Sequence, residues 1–148
     1  MPIKSDTPLV VALQLADRGW SVMPLCWPKP DGSCACPRGH GKKNTGKAPL
    51  TPRGVKDATR DRAVIEGWWA EWPSANVGVA LASSGLVAID CDSLEALQEA
   101  SRLGLTPTVC RRSHWPAYIY LAKEDTPKSR LIHWGASNKI DLLADGYL

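Results

Sequence analysis

Three aspartates stand where carboxylates readily do chemistry. Two of them close the stretch LVAIDCD (residues 86–92), in which Leu86, Val87, Ala88 and Ile89 form an apolar run after a glycine. Such a run reads as a strand buried on both faces. Side chains two apart on a strand share a face, so Asp90 and Asp92 are expected side by side at the edge of a core. Like charges so placed repel, and a shared divalent cation relieves the repulsion. Mg2+ and Mn2+ prefer oxygen ligands, commonly one or two carboxylates plus substrate phosphates. Asp141, in KIDLLADG, also follows an apolar residue and lies far enough along the chain to return on a neighbouring strand. Three acids from two strands can hold two ions about 3.5–4 Å apart, which activates a hydroxyl and stabilises a leaving pyrophosphate. A plainer account also fits. Asp92-Ser93-Leu94-Glu95 matches a capping box for a following helix, and Asp141 serves equally as a half-exposed strand residue.

A second chemistry is suggested by CWPKPDGSCACPRGHGKK. Cys26, Cys34, Cys36 and His40 offer four N/S ligands, the set a tetrahedral Zn2+ takes. Cys-x-Cys replaces the common Cys-x-x-Cys, so free thiols in a polar loop remain the other reading. Cys91 and Cys110 lie in expected strands and read as core. In RRSHWPAY, Arg111, Arg112 and His114 suit nucleotide phosphates, or form a basic loop between strands. Lys42, Lys43, Lys47, Arg53 and Lys56 make a basic surface around GKAPL. It lacks the GxxxxGK[ST] of a P-loop, and its functional reading is contact with phosphate.

These residues need elements to hold them. The 148 residues make one domain by size, large enough for a core. Its 44% hydrophobic and 22% charged residues are those of a globular protein, and a net charge of +3 permits a nucleic-acid partner without demanding one. No apolar run is long enough for a membrane span, and MPIKSDTP lacks a signal peptide's apolar segment, so a cytoplasmic protein with reduced thiols is expected. Residues 7–18 read as a helix capped by Thr7, with Pro8 in its first turn and Gly19 after its end. Residues 20–25 read as a strand and 26–52 as a Pro-, Gly-, Lys- and Cys-bearing insertion. Thr59 is the expected cap of a helix running to about Glu71, with Ile65, Trp68, Trp69 and Trp72 on its apolar face. Strands are expected at 76–81, 86–92, 108–111, 118–121 and 140–143, with a helix at 93–103. A further strand is expected to begin at 145–148 and to be cut short there. The order predicts an α+β domain with a mixed or antiparallel sheet flanked by helices and a Cys/His-bearing loop insertion.

In order, ALQLADRGWSVMPL (12–25), GKAPL (46–50), DATRDRAVIEGWWAEWPSANVGVAL (57–81), LVAIDCD and IDLLADGYL (140–148) resemble the N-terminal catalytic domain of bifunctional DNA primase/polymerases, within the archaeo-eukaryotic primase superfamily. The likeness covers nearly the whole chain. It implies a primase/polymerase-like core and template-directed nucleotidyl transfer, with catalytic Mg2+ or Mn2+ on Asp90, Asp92 and Asp141. It implies single-stranded DNA template, primer and nucleoside triphosphates as partners, and a structural Zn2+ on Cys26, Cys34, Cys36 and His40. It also implies a domain that continues past residue 148, a helicase module or partner, and a plasmid, phage or other mobile element as owner. In the family a His in the second motif grips nucleotide phosphate. Here that role falls to His114, beside Arg111 and Arg112, but the family's Gly pair before this His is replaced. The departure motivates a second expectation, a catalytically silent nucleic-acid-binding domain. A metal-dependent nuclease is a third, since paired aspartates serve there too.

Overall fold

The computed structural model describes residues 7–36, 39–105, 117–121, 130–134 and 138–148. Arg111, Arg112, His114, Cys110 and the expected strand at 108–111 lie outside them. The chain divides into two compact units, one running to Ser84 and including Tyr147–Leu148, the other Gly85–Gly146.

The first unit is built on a two-stranded antiparallel sheet, β1 (Ser21–Leu25) and β2 (Asn76–Ala80). Helices α1 (Pro8–Asp17) and α2 (Arg62–Glu71) pack on it. Thr7 caps α1 as expected, accepting from the Val10 N–H, and Gly19 takes the left-handed φ of 87° that ends the helix. The cap of α2 is Asp61, not Thr59. Its carboxylate accepts from the Ala63 and Val64 N–H groups. Thr59 instead bridges to Val22 through two backbone hydrogen bonds, which holds the chain extended until Asp61. Ile65 and Trp69 are buried with Ala12, Val22, Met23 and Leu81. Trp69 keeps its indole N–H satisfied on the Ala75 carbonyl at 3.1 Å. Trp68 and Trp72 are only half-buried, and Trp72 stands beyond the last helical residue as the C-cap, with non-helical backbone angles. Residues 147–148 pair with β2. Leu148 exchanges two backbone hydrogen bonds with Val79, and Tyr147 bridges to Ala80.

The second unit is a four-stranded antiparallel sheet in the order β4 (Ala117–Leu121), β3 (Leu86–Asp90), β6 (Asn138–Leu143), β5 (Arg130–Trp134). Every pairing among the described residues is antiparallel. β5 carried no expectation. Its sequence, RLIHW, alternates too little to read as a strand alone. Strand β3 is central but alternates in burial. Leu86 and Ala88 are buried on one face, and Val87 and Ile89 are half-buried on the other, so both faces are covered but unequally. Helix α3 (Leu94–Arg102) follows, capped by Ser93, whose hydroxyl accepts from the Ala96 N–H. Asp92 therefore does not cap it. One face of the sheet packs against α3 through Cys91, Ala96, Ala100 and Ile140, with Ile89, Leu97 and Leu105 alongside. No described helix is long and apolar enough to cross a membrane.

Candidate functional site

β3 and β6 are the two inner strands of the sheet, and their register sets Asp90 directly opposite Asp141. Opposed residues of an antiparallel pair share a face, with Cβ atoms about 4.5–5.5 Å apart. The row runs in register to Ala117 on β4 and Leu131 on β5, so apolar residue types flank the acid pair in the sheet. Ile89, Cys91 and Ile140 belong to the alternate positions that pack with α3, which leaves Asp90 and Asp141 on the other face. Both acids are half-buried. Asp92 is exposed, two residues beyond Asp90 in the step from β3 to α3, where no strand partner fixes it. The structure thus joins two of the three expected acids by register and keeps the third adjacent in the chain. Two opposed carboxylates offer the hard oxygens that Mg2+ or Mn2+ prefers.

The second constellation sits where β1 gives way to the loop. One ligand atom from each of Cys26, Cys34, Cys36 and His40 lies within 4.8 Å of the other three. The Cys34 and Cys36 sulfurs are 3.3 Å apart, and Cys36 Sγ is 2.9 Å from His40 Nε2. Zn–S bonds of about 2.3 Å give a tetrahedral edge of about 3.8 Å, so the four atoms, within 4.8 Å of one another, need shift by only about 1 Å to surround an ion. Cys26 is fully buried, and its thiol donates to the Asn44 carbonyl at 3.2 Å while its sulfur accepts from the Ala48 N–H at 3.3 Å. Burial pushes the Cys26 thiol up to about 11. Burial also acts on Cys34, but hydrogen bonds from Cys36, Cys26 and His40 outweigh it and bring that thiol down to about 6. His40 is raised, first by its hydrogen bond to the Gly41 backbone and then by Cys34. The set therefore already holds one thiol inclined to ionise beside an imidazole inclined to protonate. Cys26, Cys34, Cys36 and Cys91 are all unbridged.

Sequence reasoning found these four ligands but missed what anchors them. The GKAPL stretch is tied to β1 by Cys26 N–H donating to Ala48 and Leu50 N–H donating to Pro24, and Leu25 bridges to Pro49. The available signal was the position of Cys26, immediately after an apolar strand.

No curated protein and no solved structure matches the chain. The sequence profile of the family described as "Bifunctional DNA primase/polymerase, N-terminal" matches residues 12–146.

Proposed function

The chain belongs to the family of bifunctional DNA primase/polymerase N-terminal domains, and on that premise we propose that it performs template-directed nucleotidyl transfer. Single-stranded DNA is the template, and a primer end and nucleoside triphosphates are the substrates. The observation that carries this reading is the register of Asp90 against Asp141 on the two inner strands. Asp90 and Asp141, with Asp92 as a third donor, are the residues to hold Mg2+ or Mn2+. Such ions, when bound, lower the pKa of the attacking 3′-hydroxyl and neutralise triphosphate charge. The protein's own share is placement. Central strands backed by α3 keep the two carboxylates at a fixed spacing, which a loop would not. His114, Arg111 and Arg112 take the triphosphate through charge-assisted hydrogen bonds. Cys26, Cys34, Cys36 and His40 hold one structural Zn2+, whose three sulfurs and one nitrogen suit zinc better than a hard cation. Replication of a plasmid, phage or other mobile element, with a helicase as partner, is the setting we assign.

One observation favours a second reading. The residues before His114 lack the family's Gly pair, and a domain without that triphosphate grip would bind template and leave synthesis to others. Incorporation of labelled nucleotide with Mn2+, on primed and unprimed templates, separates the two. Robust synthesis that falls about 100-fold or more in Asp90→Ala and Asp141→Ala supports the enzyme, a loss equivalent to about 3 kcal/mol of transition-state stabilisation. DNA binding without incorporation supports the silent domain. Template cleavage in the same tubes identifies a nuclease.

A further inference from the structure

From Gly39 to Lys56 the chain carries Lys42, Lys43, Lys47, Arg53 and Lys56 and no carboxylate. Arg53 is engaged, pairing with Asp57 at 2.6 Å. Among the described residues no acid lies within ion-pair distance of the four lysines, and all four are exposed.

Loops this polar are commonly loose, but the backbone under these lysines is pinned. Cys26 bonds to the Asn44 carbonyl and the Ala48 N–H. Asn76 Nδ2 donates to the Gly46 carbonyl at 3.1 Å, and the Tyr147 hydroxyl to the Lys47 carbonyl at 2.8 Å. A short 3-10 turn, Lys42–Asn44, presents two of the lysines. The result is a ridge of fixed backbone bearing unpaired cations, which loses little entropy on binding a polyanion.

The chain then runs on into a groove of about 470 Å3 lined by Thr51, Pro52, Arg53, Thr59, Val64 and Trp68. Lys56 sits on the turn Gly54–Asp57, whose Asp57 also borders the groove. Trp68 is half-buried and lines this space, as does Arg53. Cations for phosphate beside an aromatic for a base is the combination that binds single-stranded nucleic acid without reading its sequence. An anionic membrane would use the lysines but has no use for the aromatic beside them.

We propose that Lys42, Lys43, Lys47 and Lys56, together with the Trp68 groove, form a single-stranded nucleic-acid track on the first unit, distinct from the Asp90–Asp141 pair. As a track for template it rests on the polymerase reading, but its binding chemistry does not need that reading.

The test is anisotropy of a labelled oligothymidylate titrated with the whole chain, zinc present, between about 50 and 200 mM salt. Each exposed lysine on a phosphate contributes about 0.7 to the log–log salt slope of a single strand. K42Q/K43Q/K47Q is therefore expected to flatten the slope by about 2. Trp68→Leu is expected to weaken binding about 5- to 150-fold, and Trp68→Phe to recover most of it. Thermal melts and zinc content of each variant report folding, and the surface triple variant keeps the test independent of Trp68 packing. A wild-type slope in the triple variant, or no binding by wild type, overturns the track. So does a triple variant that loses only its binding to phosphatidylserine vesicles. Lysine-dependent binding by a protein that never incorporates nucleotide refutes the polymerase reading and leaves the track standing. Incorporation with lysine-independent binding does the reverse.

Discussion

Stripping metal from the protein should lower its first thermal transition by about 10–20 °C. All four proposed ligands lie in the first unit, and the loop that carries them closes back on β1 at Leu25 and Pro49. That unit cannot unfold without dissolving the cluster, so zinc affinity is linked to its stability. At free zinc about 100-fold above the dissociation constant, linkage contributes about 2.7 kcal/mol. A unit of fewer than about 100 residues shifts about 4–8 °C per kcal/mol, which gives the stated range. The assay is differential scanning calorimetry on protein purified without chelator, with and without EDTA, beside metal analysis expected to find about one Zn per chain. Zinc added back should restore the transition in wild type. In Cys34→Ser, which keeps three ligands, it should restore much less. Coincident transitions with and without EDTA in protein that contains zinc would refute the linkage. A chain that carries no metal and takes none up would remove the site.

Zinc affinity should rise with pH between about 6 and 8, because Cys26, pushed up to about 11 by burial, must shed its proton to bind. Titration calorimetry in buffers of different ionisation enthalpy reads the protons released, and a pH-independent affinity contradicts the assignment. Gly78→Ala should cost about 1–3 kcal/mol in urea unfolding, since its Cβ would lie 3.0 Å from Leu25 Cγ and Cδ1. Leu25 is buried and ends β1 next to Cys26, so the variant should also weaken metal binding. An unchanged midpoint would mean that Leu25 moves aside freely.

Residue order alone determined much of this protein. Thr7, Pro8 and Gly19 bracket α1 because caps and φ preferences act within a few residues. The Cys/His set was equally readable, since its four ligands fall within a short stretch, 26–40. The caps at Asp61 and Ser93 were misread because neighbouring Thr59 and Asp92 offer comparable side chains. Only a long-range bridge to Val22 decides that Thr59 stays extended. Strand β5 was invisible for a related reason, as its residues become a strand through pairing with β6. The pairing of Asp90 with Asp141 belongs wholly to tertiary structure. A shift of one residue in register would turn one of these acids to the opposite face, and no local rule in either segment chooses between the two registers. The choice follows from burying Ile89, Cys91 and Ile140 against α3, an energy that exists only once strands and helix have met.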